Sequence, residues 1–362
     1  MVPAITIDAT DTKVCEGTPV TFTSIIKDGG TTPQYQWMVN GVPAGTNAIF
    51  TYVPADNDTV LCIFTSSEMC AIPPTAISSE IVMSVLSYPT APSLLTDTLA
   101  AFRWMPVDLS NAVDINPAYT YKYYENSNGT GALSSSVVIF NPPKDDYYVT
   151  ASNGACEGPM TKIILKDPCP ETVEDIEHNI YKVTSLAGYC WTENLKSTLY
   201  ADNTPINFAK PYTCPICPAQ LDTIFGLLYT WYSAVGESEG SIAAPTLPVQ
   251  GICPVGWRIP SQAEWSSLNA FPAVNLRSTQ YWINPPGPGF DAYGWNSLPA
   301  GWYNGAIDRF QDMYGFTSWW ASDVTANSFT SSSFYINYAC DNMQQEQKTK
   351  NDGLSVRCIM NF

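Results

Sequence analysis

Prolines (29) and glycines (22) punctuate the whole chain rather than gathering in one segment, and this spacing is its strongest constraint on folding. Proline breaks helix interiors and glycine weakens them, so long helices are not expected. What remains is an architecture of short segments joined by turns. Aromatic residues at 13% against charged residues at 14% favour packed strands over solvated helices. The 362 residues leave room for roughly two or three domains, each with its own core.

Residues 1–87 read as one set of strands. Val20-Thr21-Phe22-Thr23 and Tyr35-Gln36-Trp37-Met38-Val39 alternate, and Asn40-Gly41 follows as a type I′ turn signal, because both central residues of that turn need φ > 0. Ile49-Phe50-Thr51-Tyr52-Val53, Val60-Leu61-Cys62-Ile63-Phe64 and Ile81-Val82-Met83-Ser84-Val85 complete a sandwich-sized set. The run from Cys15 to Phe22, with Tyr35-Gln36-Trp37, Asn40-Gly41 and Val60-Leu61-Cys62, resembles the Ig-like repeats of large Bacteroidetes surface adhesins. That resemblance implies a spacer module with Trp37 in its core. It leaves the partner of Cys15 open between Cys62 and Cys70.

Tyr88-Pro89-Thr90-Ala91-Pro92 makes a joint, and residues 88–168 read as a second Ig-like β-sandwich. Phe102-Arg103-Trp104, Tyr119-Thr120-Tyr121-Lys122-Tyr123, Val137-Val138-Ile139-Phe140 and Tyr147-Tyr148-Val149-Thr150-Ala151 are its expected strands. Its tyrosines are expected to serve core and cross-strand pairs rather than a sugar platform.

Residues 169–362 carry a series of ordered motifs. Asp175, Asn179 and Tyr181 come first, followed by Trp191-Thr192-Glu193-Asn194-Leu195-Lys196 and Phe225-Gly226-Leu227-Leu228-Tyr229-Thr230-Trp231. Cys253-Pro254-Val255-Gly256-Trp257-Arg258-Ile259-Pro260-Ser261 leads to Glu264-Trp265 and Leu268. Leu298-Pro299-Ala300-Gly301, Trp320-Ala321-Ser322 and Ser355-Val356-Arg357-Cys358 close the set. In order and content they resemble the Fibrobacter succinogenes major paralogous domain of Bacteroidetes surface proteins and their phages, with His178 standing where glycine is usual. The fold class expected for the chain is therefore mostly β N-terminal Ig-like sandwiches followed by an α+β C-type-lectin-like domain. The resemblance also sets the motifs of Cys253 and Cys358 side by side and so implies a disulfide between them. Ser261 and Glu264 have the spacing of a capping box, which puts Trp265 and Leu268 on one face of a short helix. Trp191, Trp257 and Trp320 are expected in the core.

A lectin-like head implies a long irregular region that presents the ligand surface. Between Pro285 and Asn351 the sequence has little periodicity but much Gly, Asn, Tyr, Ser and Trp, residues that recognition loops favour. Trp302, Tyr303, Asn304, Tyr314, Asn327, Phe334, Tyr335, Asn337, Tyr338 and Asn342 are the expected ligand-binding residues. Some heads of the family resemble targets of diversity-generating retroelements, and the Asn/Tyr/Ser content of 302–342 permits that reading here.

The net charge of -17 excludes binding to nucleic acid through phosphates and to anionic membranes. Eleven cysteines point to several disulfides and an extracellular, cell-surface or virion-surface location; the odd count leaves one for a free thiol or an inter-chain bond. No transmembrane stretch and no signal peptide are read in the sequence. One histidine excludes a multi-His zinc site, and Cys214-x-x-Cys217 has no matching second pair. By fold analogy with formylglycine-generating enzymes, Cys340 and Cys358 are the only candidate catalytic pair, and Cys358 is better explained by the disulfide. No enzyme activity and no cofactor are expected, although a structural calcium on carbonyls and a few acids is compatible with the sequence. The expected function is that of an adhesin or receptor-binding protein recognising a protein or glycan receptor, without membrane insertion. The alternative is a homo-oligomeric or attached subunit of a pilus, sheath or virion.

Overall fold

The computed structural model describes residues 2–133, 137–212, 221–241, 245, 247–283, 287–324 and 329–362; Asn327, Cys214 and Cys217 lie outside them. The chain divides into two compact units. Met1–Leu99, Asp108–Val137 and Lys144–Leu165 form the first; Ala100–Val107, Val138–Pro143 and Lys166–Phe362 form the second.

The first β-module of unit one pairs Ala4–Ala9, Val20–Lys27 and Ile49–Tyr52 in one sheet. A second sheet orders Val42–Gly45, Gln34–Val39, Thr59–Thr65 and Thr75–Ile77, with Ile81–Val82 also on Thr59–Thr65. Asn40 and Gly41 take φ values of 51° and 75°, the turn that their sequence announces. Strand alternation sends Val20, Phe22, Trp37, Val60, Cys62 and Phe64 inward, all fully buried. Trp37 stacks on Phe50 at 5.7 Å and donates its indole N–H to the Asn47 carbonyl at 2.8 Å.

Neither Cys62 nor Cys70 takes Cys15, which is instead bonded to Cys156 of the second module, 141 residues away. Cys62 lies in mid-strand opposite Trp37, and burial pushes its thiol up to about 11. Cys15 ends the strand Lys13–Cys15, paired in parallel with Ser84–Leu86. Asn153 holds the Cys156 turn beside this end, donating to the Ser87 carbonyl at 3.0 Å.

The second module centres on a sheet ordered Thr98–Ala100, Thr161–Lys166, Asp146–Ser152 and Thr120–Tyr124. Its tyrosines are structural: Tyr123, Tyr124 and Tyr147 are buried. The Glu157 carboxylate accepts hydrogen bonds from Tyr124, from Thr150 at 2.6 Å and from Lys122 at 2.7 Å. Phe102-Arg103-Trp104 is a turn rather than a strand, with Trp104 at φ 62°. It belongs to unit two, where Phe102 meets Phe362 edge-on at 5.5 Å and Trp104 meets Tyr293 at 5.0 Å.

Unit two, the head, has a five-stranded sheet ordered Thr172–Glu174, Ile180–Leu186, Tyr189–Thr192, Ile359–Met360 and Trp257–Arg258. A three-stranded meander follows in Phe316–Val324, Thr330–Asn337 and Gln344–Thr349. Four described helices of four or five residues, Leu221–Phe225, Trp231–Val235, Gln262–Ser266 and Ala273–Leu276, complete the mostly β fold. The expected irregular run between Pro285 and Asn351 is therefore regular in part: the meander lies in it, while 287–301 carry no strand. Its alternation is disguised because both faces of the meander carry aromatic and small polar residues.

The motifs have local structural causes. Asp175 accepts backbone N–H groups from Glu177 and Asn179 at 2.9 Å and the Tyr181 hydroxyl at 2.6 Å. Burial raises its carboxyl, and these hydrogen bonds outweigh burial and lower it. Within that turn His178 sits at φ 64°, a left-handed position that favours glycine. Ser261 and Glu264 form the capping box, and Arg258 is paired with the same Glu264 carboxylate, Nη1 at 2.7 Å. Trp265 and Leu268 are both fully buried.

Trp319 and Trp320 are neighbours on one strand and so point to opposite faces. Each enters a different core cluster, Trp319 with Trp191, Trp265 and Trp295, and Trp320 with Tyr229, Trp231 and Trp257. Cys253 and Cys358 are disulfide-bonded inside the second cluster, with Cα atoms 5.8 Å apart. A third bond joins Cys169 to Cys190. Asn194 accepts from the Trp319 indole at 2.8 Å and from Arg357 Nε at 3.1 Å, and donates to the Phe225 carbonyl at 3.0 Å. Arg357 Nη1 and Nη2 donate to the carbonyls of Trp295 and Asn296 at 2.7 and 3.0 Å. Burial lowers this guanidinium to about 10.

Candidate functional site

Side-chain parity sorts the meander into a Trp319 face and a Trp320 face, each buried where it meets its core cluster: Ser318, Ser331 and Ser333 share the Trp320 face and are fully buried. Phe334 falls on the Trp319 face, only 1% exposed and stacked on Trp265 at 6.0 Å, so it is not a surface contact as the sequence suggested. The register places Phe316, Tyr335, Asn337, Gln344, Glu346 and Lys348 on the other face, and all six are half-buried or exposed.

A hairpin brings Trp302 to this face. Trp302–Asn304 pairs with Arg309–Gln311, entered through Gly301 at φ 67°, where a Cβ would stand 2.4 Å from the Gln311 carbonyl oxygen. That close approach gives the Leu298-Pro299-Ala300-Gly301 motif a steric reason. Trp302 donates its indole N–H to Asp312 at 2.9 Å. Lys348 Nζ lies 3.5 Å from the centre of the Trp302 ring and 5.7 Å from that of Phe316, and Phe316 stacks on Tyr335 at 5.1 Å. Trp302, Lys348, Phe316 and Tyr335 thus form a continuous row, flanked by the amides of Asn337 and Gln344. Burial raises the Glu346 carboxyl, with the charge of Lys348 working against it.

Tyr303, next along the hairpin strand, points the other way and is 7% exposed. Its hydroxyl is hydrogen-bonded to Asp308, which raises it, so most of its ring is structural rather than an open contact. It lines a cleft of about 350 Å³ with Asn207, Phe208, Tyr232, Glu237 and Asn351. Lys210 Nζ lies over the Phe208 and Tyr303 rings at 4.7 and 4.8 Å. Asn304 accepts from the Ala306 N–H at 3.1 Å and shapes the hairpin turn. Tyr314, at φ 67°, packs on Phe225 at 6.1 Å and does not join the row. Tyr338 and Asn342 are exposed and line a separate cleft beside Cys340.

Of the described residues expected to bind ligand, the fold gathers Trp302, Tyr335 and Asn337 on one face and disperses the others. Phe316, Gln344 and Lys348 were missed; the alternation of their strands is the signal that would have found them. Cys358, locked to Cys253, is not available as one of a pair of catalytic thiols. Among the described residues no group of three or more His, Cys, Asp or Glu is placed to hold a metal ion, and no helix is long and apolar enough to cross a membrane.

Residues 185–360 match the family model of the Fibrobacter succinogenes major domain. No curated protein sequence matches the chain. Among solved structures it is similar to the three N-terminal domains of the bacteriophage RB49 highly immunogenic outer capsid protein, at 13% identity and a TM-score of 0.27, covering 48% of this chain and 63% of that one. The mouse nectin-like molecule 4 ectodomain is similar at 12% identity and a TM-score of 0.22, over 45% and 64% of the two chains. Fibronectin(III)-like modules of Clostridium thermocellum CbhA are similar at 8% identity and a TM-score of 0.31, over 45% and 93%. The chain thus spans a little under two thirds of the phage and mouse structures.

Proposed function

We propose that the protein is a surface-displayed recognition protein. Its two β-modules act as spacers, and its C-terminal domain, read as C-type-lectin-like, binds a protein or glycan receptor without breaking or making covalent bonds. The observation that carries this reading is the row Trp302, Lys348, Phe316 and Tyr335 with its flanking amides. Aromatic rings and amides left half-open on the Trp320 face, beyond its buried part, offer wide contact at low rotamer cost. The cation between the rings fixes their spacing. Three disulfides support a location outside the reducing cytoplasm.

The test is binding of the purified protein to glycan arrays and intact bacterial cells, with calcium and with EDTA, for wild type and the Trp302→Ala/Tyr335→Ala variant. Saturable binding, weakened about tenfold or more in the variant at an unchanged far-ultraviolet circular dichroism spectrum, is expected. Equal affinity of the folded variant moves the site elsewhere. A stable trimer or filament that buries this face supports a structural subunit instead.

A further inference from the structure

We propose that the cleft around Arg277 is a binding site for a singly charged carboxylate on a small ligand; the proposal rests on reading the head as a recognition domain. Arg277 follows the helix Ala273–Leu276 and is only 5% exposed, yet it lines a cleft of about 420 Å³. One of its nitrogens is used: Nη1 donates to the Tyr338 carbonyl at 2.7 Å. Nε is buried with no acceptor, Nη2 has none among the described residues, and no carboxylate there pairs with the guanidinium.

Of the two nitrogens without an acceptor Nε is sealed from solvent and Nη2 is not, so Nη2 offers its N–H bonds to a carboxylate oxygen in a charge-assisted hydrogen bond. The plane is steadied by Trp282, whose ring centre is 5.5 Å from the guanidinium carbon. A largely buried cation with idle donors is unfavourable unless something completes it. Arg357, the head's other buried arginine, gives the contrast: all three of its nitrogens donate to protein oxygens. What Arg357 obtains from the fold, Arg277 lacks.

The cleft walls suit the body of a small ligand. Pro272 and Val274 supply apolar surface, Tyr338 an exposed ring and Asn342 an amide, the mixture of apolar walls and few polar groups that small-molecule sites use. Tyr338 and Asn342 are two of the recognition candidates that the aromatic row leaves out. The exposed carboxylate of Asp341 also lines the cleft. It repels a dianion more than a monoanion, which favours a carboxylate over phosphate.

Saturation-transfer NMR on the full chain tests this with glucuronate and N-acetylglycine as carboxylate probes, and glucose and inorganic phosphate as comparators. Saturable binding of glucuronate, N-acetylglycine or both is expected, with glucose and phosphate silent. Whichever probe binds distinguishes an acidic sugar from a peptide-type carboxylate. Arg277→Gln should abolish the signal; because that side chain is buried, Asp341→Asn gives a second readout, binding about threefold tighter through loss of one repulsive charge. No saturable binding by either carboxylate, equal binding of glucose or phosphate, or unchanged affinity in Asp341→Asn overturns the proposal. Cell binding that depends on Trp302 and Tyr335 while both carboxylate probes stay silent sinks this site and leaves the recognition reading intact.

Discussion

Replacing Asn194 by alanine should cost the C-terminal unit about 3–6 kcal/mol. The side chain accepts from the Trp319 indole and from Arg357 Nε and donates to the Phe225 carbonyl. Alanine leaves the indole N–H unpaired at a cost of about 1–3 kcal/mol, and more for the charged Nε. Water cannot take over, because Trp319 and Arg357 are no more than 1% exposed. Against a typical domain stability of roughly 5–15 kcal/mol, the loss is a large share. Guanidinium unfolding followed by tryptophan fluorescence reads this unit almost alone, since of the eleven tryptophans only Trp37 lies in the other. Asn194→Asp keeps the acceptor for both donors and adds an opposite charge to Arg357, so it should cost only about 1–2 kcal/mol. An alanine variant within about 1 kcal/mol of wild type, or an aspartate variant no better than alanine, would refute the reasoning.

Two further outcomes concern the first unit. Burial pushes the Glu157 carboxyl up, but hydrogen bonds from Lys122, Thr150 and Tyr124 outweigh it and hold the group at about 2, against an ordinary 4.5. A depressed carboxylate stabilises fully above its unfolded value, and that contribution is lost as pH falls through its folded value. The Tm deficit of Glu157→Gln should therefore be full at neutral pH, shrink below about pH 4.5 and be gone below about pH 2; a deficit independent of pH contradicts the assignment. Cys15→Ser/Cys156→Ser should destabilise the first unit by about 5 kcal/mol on the chain-entropy estimate for so long a loop. In calorimetry its transition should fall while that of the second unit stays, and an unmoved first transition speaks against the estimate.

Local signals were legible where the chain satisfies them locally. Asn40-Gly41 needs only its own two dihedrals, and Ser261 with Glu264 only one helical turn, and both are seen as the sequence implies. Trp191, Trp257 and Trp320 are buried at no more than 4% exposure. What escaped was long-range. Cys15 has two nearer cysteines, and nothing local says that the strand end bearing it meets a turn 141 residues on. Phe102-Arg103-Trp104 reads as a strand by composition, but Trp104 adopts a left-handed backbone and packs on Tyr293. At the candidate site Trp302, Tyr335 and Asn337 were named, yet Phe334 was named with them, because period two tells that faces differ without telling which positions on each are covered.

The three disulfides among the described residues follow one another without overlap, closing separations of 141, 21 and 105 residues. For a chain under tension this arrangement decides where force travels. A pull entering before Cys15 crosses to Cys156, runs to Cys169, crosses to Cys190, continues to Cys253 and crosses again to Cys358. Neither the strands around Trp37 nor the whole meander lies on that path. A tug strong enough to unravel an unbridged module of this kind would extend only the stretches outside the bridged loops, the longest of them between Cys190 and Cys253, while the aromatic face stays slack and in shape.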